Sequence, residues 1–450
     1  MRTLLSSLLT LAFTITAASA QQQPVVLHNA TLIDGTGAPA RPHVDITLRN
    51  GLIQSVTTTS VRPAGAKVID CTGKTIIPGL ISAHSHLGVL LNNSEASANA
   101  YTRENVVASL DQFERYGVTT ILSLGVNRDL VYALRDQQRA GQLGGATIFT
   151  AGRGIGTPHG VPGLKVAPDQ VDYPATPAEA RKDVDTYASH HADIVKIWVD
   201  PSHGRLPEMP PSIYSAVIDQ AHHDRLHVAA HVYALADAKQ LVQDGIDVLA
   251  HSVRDQPVDS AFIQSMLHHH TWYIPTLSLD EDFYIYATDP SVMQSNFFRQ
   301  AAGPQLLAKL QAPDYREKTL SSAQTKQSTQ DHAVAMQNLK SLYDAQVQIA
   351  FGTDSGAAPG RIPGFSEHRE LEDLVHAGLT PLQAITIATG QTGQLLHTLN
   401  PTLNLGLIAP GYSADLLILA ADPLANITNT RHIEAVYHRG HLVPHPAPQN

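Results

Sequence analysis

Short apolar runs recur along the middle of the chain, and stretches with apolar residues at helical spacing separate them. The runs fall near residues 76–84, 118–124, 146–151, 193–199, 226–231, 246–251, 271–277 and 347–353. Runs that are apolar throughout, rather than alternating, suit strands buried on both faces of a parallel sheet. Strand–helix units in that number predict an α/β fold, a (β/α)8 TIM barrel. The unit between His231 and His251 is the clearest. Leu235, Ala238, Leu241 and Val242 mark one helix face from Ala234 to Asp244, and Gly245 stops the helix.

The two ends read differently. Val25–Asp34, Val44–Leu48 and Lys67–Asp70 are short strands separated by glycine and proline, and Asp415–Leu419 and Ile433–Tyr437 repeat the pattern. The expected organisation is a small β-sandwich built from 21–75 and 405–450, with the barrel over 76–404. Residues 279–325 are extra length before the helix that precedes the last barrel strand. They carry Phe283, Tyr284, Tyr286, Phe297 and Phe298, as a packed insertion or a lid over the site.

The first twenty residues read as an export signal. Arg2 is followed by an apolar stretch from Leu4 to Ala17 and by the small-residue site Ala18-Ser19-Ala20. A periplasmic or secreted protein follows, with no stable membrane anchor once the signal is removed. The apolar stretch is short for a span. The net charge of −10 and the lack of a basic cluster argue against nucleic acid. Homo-oligomerisation is left open. The single cysteine, Cys71, excludes an intrachain disulfide and reads as a small apolar core residue.

With 24 histidines in the chain, position rather than number singles out candidates. His268-His269-His270 and His222-His223 read as solvated turns. His84 and His86 end an apolar run two residues apart, so on a strand both imidazoles face one side and can meet one metal ion. His231 and His251 sit at the ends of consecutive strands, side by side on the rim where barrel active sites form. Lys196 interrupts the apolar run 193–199, where an ammonium is costly unless its head snorkels out or loses its charge. Asp354 ends Ile349-Ala350-Phe351-Gly352-Thr353-Asp354 and reads as a turn cap or a metal ligand.

Pro78-Gly79-Leu80-Ile81-x-x-His84-x-His86, with Lys196, His231, His251 and Asp354 in order, resembles the metal-dependent amidohydrolase superfamily. Ala377–Ile385 and Ala409–Leu416 are similar to its closing motifs. The likeness is nearest to the branch of imidazolonepropionase-like proteins and Xaa-Pro dipeptidases. It implies two divalent metal ions, zinc by default and manganese or cobalt as alternatives. His84 and His86 would hold one ion and His231 and His251 the other. A CO2-derived carbamate on Lys196 would bridge them, and Asp354 would bind metal and move the proton. The implied reaction cleaves an amide, cyclic amide or dipeptide-like bond of a small molecule through a metal-bridging hydroxide. Tyr233, Arg153 and His159 lie on rim loops as candidate substrate contacts. Two other readings stand: a mononuclear deaminase-like hydrolase of a cyclic amide, and a catalytically silent exported binding protein.

Overall fold

The computed structural model describes residues 23–59 and 62–448. The expected signal, Met1 to Ala20, lies outside them. Among the described residues no helix is long and apolar enough to cross a membrane.

Both chain ends enter one eight-stranded sheet. Thr75–Pro78 joins them. It pairs parallel with Val25–Leu32 and antiparallel with Leu416–Leu419, where Ile77 lies opposite Leu417. Arg41–Arg49 and Leu52–Thr57 extend the sheet on one side, Ile433–His438 and His441–Leu442 on the other. Leu27, Val44, Ile46, Ile76, Leu416 and Ile418 form its apolar core, and Cys71 is buried among them as expected. Burial pushes the Cys71 thiol up to about 11.

The run 76–84, expected as one strand, is two. Thr75–Pro78 belongs to the end sheet, Leu80–Ser85 starts the central body, and Gly79 parts them. A Cβ at Gly79 would lie 2.2 Å from Thr119 Oγ1, so the crossing between sheets needs a residue without a side chain.

The central body is parallel. Leu80–Ser85, Val118–Ser123 and Thr147–Thr150 form one set of strands. Val195–Val199, Val228–Val232, Val248–Ala250 and Trp272–Ile274 form another. Amphipathic helices run between successive strands, among them Leu235–Gln243, close to its expected bounds. Single parallel bridges connect Ile155 with Ile197, Tyr273 with Ile349, and Ser85 with Ser355.

Residues 347–353, expected as a strand, are irregular chain with a single bridge at Ile349. They still hydrogen-bond on both sides. Ala350 N donates to Tyr273 O at 2.9 Å, and Phe351 O accepts from Ala83 N at 2.7 Å. A Cβ at Gly352 would stand 2.7 Å from His84 Cβ, so the glycine lets Asp354 approach the His84 strand.

The insertion is helical, with Ser278–Glu281, Ile285–Thr288, Asn296–Leu310 and Tyr315–Ser321. Most of its aromatic residues pack inward. Phe297 meets Tyr116 at 4.7 Å between ring centroids, and Phe298 meets Phe365 at 5.0 Å. Tyr286 is also buried, whereas Phe283 is exposed. Burial of this apolar area ties the insertion to the body.

Candidate metal centre

His84 is the penultimate residue of the strand Leu80–Ser85, and His86 stands just past it. Ligand atoms of His84, His86 and Asp354 lie within 4.8 Å of one another, all buried. Asp354 Oδ1 is 3.3 Å from His84 Nε2 and 2.9 Å from His86 Nε2. The His251 ring sits 4.4 Å from that of His84 and 4.4 Å from that of His231. Thus the four histidines and Asp354, drawn from the ends of three strands and from the segment that follows 347–353, form one cluster. Asp354 and His251 occupy left-handed backbone, at φ 61° and 87°. Such strain costs about 1–3 kcal/mol per residue and gathers at functional sites.

Three of the imidazoles spend one ring nitrogen on a partner outside the cluster. His86 Nδ1 meets Gly125 O at 3.2 Å, His251 Nδ1 meets Thr276 Oγ1 at 2.8 Å, and His231 Nε2 meets Asp200 Oδ2 at 2.9 Å. Partners of this kind fix ring orientation and leave the other nitrogen for a metal. His84 Nδ1 and Lys196 Nζ have no hydrogen-bond partner, and His84 Nε2 has the Asp354 oxygen at 3.3 Å without hydrogen-bond geometry, although both side chains are fully buried. Unsatisfied buried polar groups cost about 1–3 kcal/mol each, so a binding role accounts for them better than packing does.

Electrostatics agree with ligand chemistry. Burial, and then the Lys196 charge, hold the His84 imidazole well below the usual range. Burial, with crowding by His84 and His231, does the same to His251. Burial lowers His231 against the pull of Asp200. Neutral imidazoles have a free lone pair for metal. Burial drops Lys196 to about 7, with Asp354 opposing; only a neutral amine can add CO2. Its stem lies by Trp198, with Nζ 5.4 Å from the ring centroid. A nitrogen and oxygen donor set of this kind fits zinc, manganese or cobalt.

Asp354 is held well below the ordinary carboxylate range. Burial opposes this, but Arg361, His84 and His86 outweigh it. Arg361 Nη1 bonds to Asp354 Oδ2. Behind the cluster, Glu367 is fully buried and accepts from Ser82 Oγ at 3.1 Å, Thr353 Oγ1 at 2.7 Å, Ser355 Oγ at 2.7 Å and Gly364 N at 2.7 Å. One carboxylate thereby ties the strand bearing His84 to the segment bearing Asp354.

The three rim candidates are engaged elsewhere or exposed. Arg153 pairs with Asp129 at 2.8 Å and Asp172 at 3.3 Å, so its guanidinium is balanced within its own loops. Tyr233 Oη donates to Asp331 at 3.0 Å. His159 is exposed in a turn. His268, His269 and His270 are also exposed, while His222 pairs with Asp247. Asp200, Thr276, Arg361 and Glu367 escaped sequence reasoning. Only Asp200 left a trace, as an acid at the end of the strand carrying Lys196.

A model of the amidohydrolase family matches residues 75–443. An uncharacterized protein of Mycobacterium tuberculosis (strain ATCC 25618 / H37Rv) is 29% identical over 259 residues, 56% of this chain and 62% of that protein's length. A putative prolidase from Bifidobacterium longum superposes with a TM-score of 0.74 at 26% identity, over 95% of this chain and 96% of the other. A Xaa-Pro dipeptidase with methionine bound in its active site gives 0.72 at 25% identity, over 93% and 99%.

Proposed function

The chain belongs to the amidohydrolase family, and we propose that it hydrolyses a carbon–nitrogen bond of a small amide or dipeptide-like substrate with two divalent metal ions. The observation that supports this most is the hydrogen-bonding of the imidazoles. His86, His231 and His251 each have one nitrogen tied outside the cluster, and His84 beside them has none tied. The architecture we assign is a closed (β/α)8 barrel that begins at the strand Leu80–Ser85, carrying a β-sandwich built from the strands of both chain ends, Thr75–Pro78 included.

In this reading His84, His86 and Asp354 would hold one ion and His231 and His251 the second, with a carboxylated Lys196 supplying further oxygen ligands. Bound metal would supply Lewis acidity, acidifying water and polarising the scissile carbonyl. The protein does the rest. Asp200 and Thr276 orient His231 and His251 through their second nitrogens. Asp354 accepts a proton from water and returns it to the leaving nitrogen. The prolidase and Xaa-Pro dipeptidase likenesses direct the search toward dipeptides and N-acyl amino acids. Export is part of the proposal, with the mature chain starting at Gln21; N-terminal sequencing of the native protein tests it.

Metal content and a substrate panel test the reaction. The expectation is near two ions per chain, with turnover of dipeptides or N-acyl amino acids that falls when metal is stripped. Near one ion would favour the mononuclear reading, which the tight group of His84, His86 and Asp354 can also serve. A protein without metal or turnover would be the silent binding protein.

A further inference from the structure

Asn127 is fully buried, and every hydrogen-bonding position of its side-chain amide is used. Oδ1 accepts from Tyr101 Oη at 3.0 Å and from Ser123 Oγ at 2.8 Å. Nδ2 donates to Gly125 O at 3.0 Å and to Gly152 O at 2.9 Å, with longer approaches of 3.5 Å to Ser123 O and Thr150 Oγ1. None of these partners is a candidate metal ligand. Carbonyl oxygens only accept, so the two glycines fix which end of the amide faces them. The residue thus joins the loop after Val118–Ser123 to the loop after Thr147–Thr150.

Both loops lean on the metal cluster. Gly125 O also takes the His86 Nδ1 contact, at 3.2 Å. A Cβ at Gly125 would stand 2.7 Å from the Trp198 ring and 3.2 Å from Lys196 Cγ; one at Gly154 would stand 2.7 Å from Trp198 and 3.4 Å from Lys196 Cβ. Between Gly125 and Asn127 the backbone is strained. Val126 is β-branched and buried, yet sits at φ 61°. Such strain persists only where the surroundings impose it. Here Val126 N donates to Arg153 O at 2.7 Å, and Val126 O accepts from Gln170 Nε2 at 2.9 Å. Gly125 O shares a trans peptide plane with Val126 N–H, so pinning the N–H one way aims the carbonyl the other way, at His86.

We propose that Asn127 is the positioning residue for His86: by clamping Gly125 O it sets the imidazole with Nδ1 on the backbone and Nε2 toward the metal. The inference rests on the metal reading above and adds to it the residue that fixes one ligand. Because the carbonyl can only accept, Nδ1 carries the hydrogen. Nε2, which lies 2.9 Å from Asp354 Oδ1, is left as the ligand atom. Asn127 touches neither metal nor substrate and takes no part in the chemistry. Its effect passes through one backbone carbonyl.

The test removes the two N–H donors with neutral side chains. Asn127→Leu keeps the volume, and Asn127→Ser leaves room. Cobalt titration followed by the visible d–d absorption gives a readout separate from turnover. In each folded variant one cobalt ion should bind ~10–100-fold more weakly, the size expected when an outer partner of a ligand is lost, and the band shape should change. A merely structural amide would lower the urea stability of the metal-free chain but leave cobalt affinity within about twofold of wild type and the spectrum unaltered. That result in either variant would overturn the proposal. Should neither variant fold, a crystal structure of the cobalt-loaded wild type decides. His86 Nε2 on the ion with Nδ1 facing Gly125 O would uphold the proposal, and Nδ1 on the ion would overturn it. Weakened cobalt in the variants, with no turnover of any substrate by the wild type, would uphold it and sink the hydrolase reading. Unchanged cobalt in the variants of an active, metal-dependent enzyme would do the reverse. A wild type that binds no cobalt would overturn both.

Discussion

Glu367→Ala tests the claim that the metal cluster is held from behind. The carboxylate is fully buried and accepts from Ser82, Thr353, Ser355 and the Gly364 backbone. Each bond to a charged acceptor contributes about 1.5–3 kcal/mol. The gross sum overstates the effect, because burial of the carboxylate is itself unfavourable and raises its pKa. Three buried hydroxyls and one N–H would be left without an acceptor, so the expected net loss is about 3–5 kcal/mol of stability. Glu367→Gln should cost less, roughly 1–3 kcal/mol: its oxygen can keep the hydroxyl bonds, while its NH2 faces the Gly364 N–H. The two segments tied by Glu367 carry His84 and Asp354. Metal affinity should therefore drop as well, by ~10–100-fold, as when other outer partners of ligands are removed. Urea unfolding of the metal-free variants gives the stability term, and competition with a chromogenic chelator gives the affinity. A loss below about 1 kcal/mol for Glu367→Ala, with wild-type metal affinity, would refute the clamp.

Asp354→Asn should lower kcat by ~10²–10⁴-fold while the fold survives, since asparagine keeps the shape but cannot accept a proton; activity within a few-fold of wild type at matched metal content would remove Asp354 from proton transfer. Lys196→Ala should lose metal and activity together, and short carboxylic acids should restore part of both by replacing the carbamate; full metal retention in this variant would count against bridging. Glu370, which accepts from Leu277 and Ser278 backbone N–H groups at 2.8 Å, gives a pH signature. Burial, then repulsion from Asp373, raises it to about 8. A raised carboxylate pKa contributes stability that is complete at pH values below the unfolded pKa and is lost as pH rises through about 8, with a slope of up to ~1.4 kcal/mol per pH unit. Unfolding free energies between pH 5 and 9 should fall in the wild type and fall less steeply in Glu370→Gln, where the raised Glu281 and Asp282 still contribute; parallel slopes would exclude Glu370 as a source.

The chain by itself determined whatever depends on local pattern. The spacing of two puts His84 and His86 at one strand end, and the helix between them puts His231 and His251 at successive ones. Lys196 stood out because a charged group in an apolar run conflicts with the burial that the run demands, and the structure leaves its amine buried without a hydrogen-bond partner. Local pattern could not show that 76–84 divides at Gly79 between two sheets, because the contact that requires glycine there comes from Thr119. Nor could it choose partners for charges. Arg153 and Arg361 look alike as arginines on loops. Tertiary structure gives the first two aspartates of its own neighbourhood and gives the second Asp354. Asp200, Thr276 and Glu367 became visible only once folding brought them to the histidines and to Asp354. The underlying reason is range. Periodicity and turn chemistry act over a few residues, whereas the pairing of buried polar groups is decided by whichever distant side chain shares the same low-dielectric space.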